Sequence, residues 1–159
     1  MTLEVRAAER EGAQAQADRE FVLDLGRRSV MSSVASIRPV PEGDARAAFD
    51  RLHDLIESQS HRTLIARRDG ERAGFLFLLD TLPDEVTLLP QAFVAYMAVE
   101  PAARNCGIGA ALLAAAEDEA RRQGLPYIAL MVTDENAPAL RLYERSGYRP
   151  ERRLLCKPL

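Results

Sequence analysis

The sequence predicts an α/β fold, and three observations carry that prediction. "TLIARRDGERAGFLFLL" reads as two strands meeting at Asp69-Gly70, a dipeptide suited to a two-residue hairpin turn. "AFVAYMAV" and "YIALMVT" (Tyr127–Thr133) are almost wholly apolar, as strands buried on both faces are. Between those two runs lies a helical segment, so strand, helix and strand form a crossover unit, which is most often parallel. The expectation is an antiparallel hairpin first and a parallel crossover after it.

In chain order, "LEVRAA" alternates like a strand, and residues Glu11 to Val30 favour helix, with Phe21, Val22 and Leu25 on one side. Asp44–Ser58 predicts a second helix. Ala48, Leu52, Leu55 and Ile56 recur there at helical spacing behind Asp44, a candidate cap. A loop containing Pro83 and Pro90 follows the hairpin. The crossover helix is expected over Ile108–Gln123, with Ile108, Leu112, Ala116 and Ala120 on one side and Gly124 and Pro126 to stop it.

A length of 159 residues favours one domain, spanning 1–159, and long enough to bury a sizeable core. An apolar content of 47% with 28% charged residues belongs to a globular chain. The net charge of −3, with both signs scattered, argues against a nucleic-acid partner. Cys106 and Cys156 make neither a disulfide framework nor a metal-ligand pair. The N-terminus lacks an apolar signal core, and no run reaches the roughly 20 apolar residues of a membrane span. The expectation is therefore a cytoplasmic protein with no metal and no membrane partner.

The segment "RNCGIGAALL" (Arg104–Leu113) puts two glycines one residue apart at the start of a helix. Glycine there costs about 1 kcal/mol relative to alanine, so something must come close to the backbone. Amides in such a turn have no partner within the helix and can converge on an anion, helped by the helix dipole. Gly107 and Gly109 remove side chains that would hold a phosphate away, and Arg104 adds a positive charge. The same glycines also suit a tight turn or close helix–sheet packing, and the short pattern alone does not decide between these. No Gly-Lys-Ser/Thr follows, and the third glycine of a dinucleotide fingerprint is missing.

About thirty residues later comes "NAPALRLYERSGYRP" (Asn136–Pro150). Together the two segments resemble the GNAT superfamily of acyl-CoA-dependent N-acetyltransferases: its Arg-x-x-Gly-x-Gly coenzyme A motif and its Asn-x-x-Ala-x-x-Tyr-x-x-x-Gly-Tyr/Phe segment. The specific part of the resemblance is confined to about Tyr96–Tyr148. It implies a mixed sheet flanked by helices, with antiparallel N-terminal strands and a parallel, splayed fourth and fifth pair. It also implies acetyl-CoA as donor and an amine of a small molecule or peptide as acceptor, with direct transfer between them.

Carried over residue by residue, Met97, Ala98 and Val99 meet the pantetheine arm, and the Met97 N–H polarises the thioester carbonyl. Arg104, Asn105, Cys106, Gly107, Ile108, Gly109 and Ala110 cradle the pyrophosphate. Asn136 and Ala139 match positions near the pantetheine, Asn136 doubling as a helix cap ahead of Ala137-Pro138. Tyr143 matches the tyrosine that protonates the leaving thiolate, though it also sits on a helical face with Leu140. Cys106 has no histidine near it in sequence and is read as an amide donor, not a nucleophile. His53 and His61 are read as surface or supporting residues.

Two departures stand out. Many members carry an acid on the core strand to deprotonate the amine, where this chain has Ala95, Tyr96 and Met97. A water relay, Tyr96 holding a water, or Asp80, Asp84 or Glu85 from the following loop are the open substitutes. The acceptor side, Val30–Arg38 and Leu82–Gln91, shows no dense acidic groove. A non-catalytic acyl-CoA sensor is the alternative that the missing acid keeps open. Many members dimerise, and "RRLLCKPL" (Arg152–Leu159) suits an edge strand for a homodimer, though its Lys-Pro ending equally blocks pairing.

Overall fold

A computed structural model describes all 159 residues. The elements run β1 (Leu3–Ala7), α1 (Gly12–Ser29), a 3₁₀ turn (Val30–Ser33), α2 (Glu42–Glu57), β2 (His61–Arg68), β3 (Glu71–Leu79) and β4 (Ala92–Val99). A second 3₁₀ turn (Pro101–Ala103), α3 (Ile108–Arg122), β5 (Ile128–Leu130) and α4 (Ala137–Arg145) follow. The five strands lie in chain order; β1 to β4 pair antiparallel and β4 pairs parallel with β5. This is the mixed α/β sheet that the sequence predicts.

The hairpin turns at Asp69-Gly70 as expected. Both residues take left-handed φ angles, 51° and 86°, which matches the twist of the strands they join. Helix α2 starts two residues before the expected cap: it opens after Pro41, and Asp44 lies within the first turn beside Glu42. There the two acids face the positive end of the helix dipole instead of capping it. β5 keeps only Ile128–Leu130 of the expected Tyr127–Thr133. "RRLLCKPL" forms no strand. Arg152 is drawn to the Asp84 carboxylate and Arg38 donates to Cys156 Sγ, while Leu154 and Leu155 stand in solvent.

Each face of the sheet carries its own apolar core. On one, α3 lays Ile108, Leu112 and Ala116 against Leu76, Leu78 and Val94. On the other, α1 and α2 bring Val22, Leu25, Phe49 and Ile56 onto Ile65, Phe75 and Phe77. Asp18 fixes α1 to the sheet edge. It is 1% exposed and bridges Arg72 at 2.7 Å, Arg6 at 3.1 Å and Arg67 at 3.9 Å.

The α1–α2 contact depends on Gly26. A Cβ there would lie 1.9 Å from Phe49 Cζ, and Phe49 is hemmed in by Phe75, Phe77 and Tyr96. The ring has nowhere to go, so the clash outweighs the roughly 1 kcal/mol of helix propensity that alanine adds. Gly26→Ala is expected to lose about 1–3 kcal/mol net in urea unfolding.

Candidate active site

The site begins with one extra residue in β4. Phe77 pairs with Tyr96 and Leu78 with Val94, so Ala95 has no partner on β3 and forms a bulge. A bulge bends its strand and raises the local twist. β5 pairs with β4 only at Ala92, Phe93 and Val94, and the pairing ends where the bulge begins. From Tyr96 to Val99, β4 follows β3 and leaves β5 behind.

The backbone phase in this splayed stretch follows from one hydrogen bond. Glu100 N–H donates to Ala73 O at 2.8 Å, which makes residues 100 and 73 a hydrogen-bonded pair. Antiparallel pairs alternate, so Ala98 with Phe75 and Tyr96 with Phe77 are bonded pairs also. Met97 and Val99 then turn their N–H and C=O groups away from β3, toward the gap. Ala98 spends its backbone groups on Phe75, so of the three candidate strand residues only Met97 and Val99 offer theirs to the gap.

Beyond β4, the turn into α3 is built from left-handed backbone. Asn105 has φ 60° and Gly107 φ 80°, on either side of Cys106. The first helical bond runs from Ala111 N–H to Gly107 O at 3.0 Å, which leaves the Ile108, Gly109 and Ala110 amides in the unpaired first turn. Such a run of free amides at a helix start is an anion-binding arrangement. Arg104, Asn105 and Ala110 are exposed around it, and a Cβ on Gly107 would meet nothing within 4 Å. Gly109 serves packing: a Cβ there would lie 2.8 Å from Leu142 Cδ2 on α4 and 3.8 Å from Met97 Cε. One glycine therefore serves the turn and the other brings α4 close.

That approach sets the third wall. Asn136 caps α4, its Oδ1 accepting from Ala139 N–H at 3.3 Å. Tyr143 packs edge-on to Tyr148, with centroids 5.9 Å apart, in the same cluster as Met97. Burial, and then the neighbouring Tyr96, push the Tyr143 hydroxyl above its ordinary range, so it keeps its proton at neutral pH.

Tyr96 points to the other face, where its hydroxyl lies 3.0 Å from Ser29 Oγ at the end of α1. The segment after α1 is tied across the gap: Thr133 donates to Ser33 O at 2.6 Å, and Ser36 donates from N–H and Oγ to Glu135 at 2.8 and 3.0 Å. A cavity of about 490 Å³ opens beside it, lined by Ser33, Val34, Ala35, Arg38, Pro39 and Val40. Of the loop acids, Asp84 accepts from the hydroxyl and N–H of Thr87, and these bonds hold it below the usual carboxylate range. His53 is buried beside Phe77, and His61 meets Gln59 O.

Two residues here escape sequence reasoning. Arg68 closes β2 and donates to Cys106 Sγ at 3.2 Å, which brings a second guanidinium to the turn. Ser29 reaches Tyr96 across 67 positions. No local pattern marks either one, because both contacts arise from sheet pairing and helix docking.

The sequence pattern of the acetyltransferase (GNAT) family matches residues 29–148. The uncharacterized N-acetyltransferase YhfO of Bacillus subtilis is 30% identical over 131 residues, 77% of this chain and 87% of that protein. A mycothiol acetyltransferase of Thermomonospora curvata is 37% identical over 84 residues, 53% of this chain; the match spans only 26% of the relative's length. A Pyrococcus furiosus protein assigned as an acetyl transferase superimposes with a TM-score of 0.81 at 26% identity, covering 99% of this chain and 100% of that one.

The turn itself yields a stability test. With open space around Gly107 and φ at 80°, alanine meets backbone strain but no clash. Gly107→Ala is expected to lose about 1–2 kcal/mol in chemical denaturation, and Gly107→Asn less, because asparagine tolerates the left-handed region better.

Proposed function

The chain belongs to the acetyltransferase (GNAT) family, and from that premise we propose that it moves an acetyl group from acetyl-CoA to a primary amine by direct attack. The enzyme is an acyltransferase. The observation that carries the finer reading is the gap between β4 and β5, with the free backbone groups of Met97 and Val99 on one side and the unpaired amides at the start of α3 beyond its end.

The residues present suit the coenzyme. The left-handed turn at Asn105 and Gly107, the amides of Cys106, Ile108, Gly109 and Ala110, and the charges of Arg104 and Arg68 would receive the pyrophosphate. Met97, Val99, Asn136 and Ala139 would follow the pantetheine arm. The donor supplies a thioester carbonyl and a thiolate leaving group. The Met97 N–H, free of β3, donates to the carbonyl oxygen as charge develops there, and preorganised donors of this kind often supply a large catalytic effect. Tyr143 holds its proton at neutral pH and gives it to the departing sulfur.

The acceptor enters from the α1–α2 side, past the cavity near Ser33 and Arg38. A small amine or a peptide amine both suit an opening of that size. No helix is long and apolar enough to cross a membrane, and we set the enzyme in the cytoplasm, with the acyl-CoA donor.

Calorimetric titration with acetyl-CoA tests the donor. Wild type is expected to bind in the micromolar range and Gly107→Glu to lose binding, since a carboxylate then occupies the anion turn. Absence of binding to wild type removes the reading. With thiol release followed over a panel of primary amines, Tyr143→Phe is expected to lower kcat by about 10²–10⁴-fold. Unchanged kcat would show that another group protonates the sulfur.

A further inference from the structure

The cavity on the acceptor side has an uneven lining. Val34, Ala35, Pro39 and Val40 give it apolar walls, Ser33 gives one hydroxyl and Arg38 one positive charge, and no carboxylate lines it. We propose that the acceptor is an amine that also bears a carboxylate, and that Arg38 holds that carboxylate; the inference rests on the acetyl-transfer reading above.

The state of Arg38 is the first support. The arginines that end α1 each have an acid: Arg27 meets Asp50 at 2.7 Å and Arg28 meets Glu100 at 2.6 Å. Arg38 makes no salt bridge, and its one side-chain hydrogen bond runs from Nη2 to Cys156 Sγ at 3.1 Å. A neutral thiol is a weak acceptor, whereas a guanidinium has five N–H donors in a fork that fits a carboxylate. An incoming carboxylate displaces the thiol and takes two bonds in place of one. A single guanidinium matches a single carboxylate in both charge and shape.

Position is the second. The segment that carries Arg38 is held in place: Thr133 donates to Ser33 O at 2.6 Å, and Arg38 N–H closes a turn on Ala35 O at 3.0 Å. Pro39 follows directly and restricts the Arg38 backbone to extended conformations. Glu135 reaches this segment but is committed to Ser36, at 2.8 and 3.0 Å, and leaves Arg38 unneutralised. At the other end of the cavity, Ser33 joins Ser29 in hydrogen-bonding the Tyr96 hydroxyl, and Tyr96 adjoins Met97. The cavity therefore runs from the neighbourhood of Met97 to a held guanidinium.

A ligand lying along this cavity puts its amine at the Ser33 end and its carboxylate at Arg38, with an aliphatic body against Val34 and Val40. The two ends are fixed, so one spacer length between amine and carboxylate presents the nitrogen best. A second ammonium group meets only Arg38, and like charges oppose each other there. Diamines and polycations are therefore poor acceptors.

Two measurements judge the assignment. The first is an acetyl-transfer assay with β-alanine, γ-aminobutyrate, δ-aminovalerate and ε-aminocaproate, each beside its carboxamide, and with diaminobutane. One carboxylate is expected to show a KM about 10- to 100-fold below that of its carboxamide, the effect of hydrogen bonds to a charged group. Arg38→Gln is expected to erase that difference, raising the KM for the carboxylate far more than it lowers kcat. Arg38→Glu is expected to turn the preference toward diaminobutane. Arg38 is exposed and its side chain bonds only to Cys156, so both variants keep the fold. The second measurement needs no turnover: calorimetric titration of the same carboxylates into wild type and Arg38→Gln, with and without coenzyme A. Binding is expected in wild type and is expected to be lost in the variant. Carboxylates that bind and react no better than their carboxamides, or an Arg38→Gln variant that keeps the wild-type preference, overturn the proposal. Failure of wild type to bind acetyl-CoA would instead sink the acetyl-transfer reading, and the titrations without coenzyme would still judge Arg38.

Discussion

One residue too many in β4 governs the rest of this structure. With Ala95 left unpaired, the strand bends away from β5 after three paired residues, and a gap opens in what would otherwise be a continuous sheet. A sheet interior offers a ligand nothing, because its backbone groups are already bonded. The gap instead exposes the Met97 and Val99 backbone groups inside a largely apolar setting. There they cost no reorganisation when a polar ligand arrives, and low local dielectric strengthens each bond they make.

A gap of this kind holds its shape only if its walls are rigid. Gly109 lets α4 close on α3 through Leu142, Gly26 lets α2 close on α1 through Phe49, and Asp18 pins α1 to three arginines of the sheet. The segment between α1 and α2 is tied over the gap by Thr133 and Glu135. Most of these contacts join segments far apart in the chain. A core-packing change distant from the gap can therefore alter the geometry within it, since close-packed interiors transmit strain.

Two tyrosines approach the gap from opposite faces of the sheet, one on β4 and one on α4. Burial raises both hydroxyls above the ordinary phenol range, and each has its own neighbour, Ser29 for Tyr96 and Tyr148 for Tyr143.

Much of the fold was legible in the sequence because its causes are local. Asp69-Gly70 takes left-handed angles readily, apolar runs bury themselves, and Asn136 caps the helix that Ala137-Pro138 opens. The turn at Gly107 was legible for the same reason. The misplaced cap at Asp44, the shortened β5 and the missing C-terminal strand show where local preference yields to packing and to distant charge, as at Arg152 and Asp84. Gly109 was legible as a special position, but its partner Leu142 was not. Arg68 beside Cys106 and Ser29 beside Tyr96 were invisible, since nothing in a linear chain marks which residues sheet register will bring together. The bulge at Ala95 belongs with them. An alanine in a strand carries no mark of being unpaired, and only the competing pairings of β4 with β3 and β5 decide that it is.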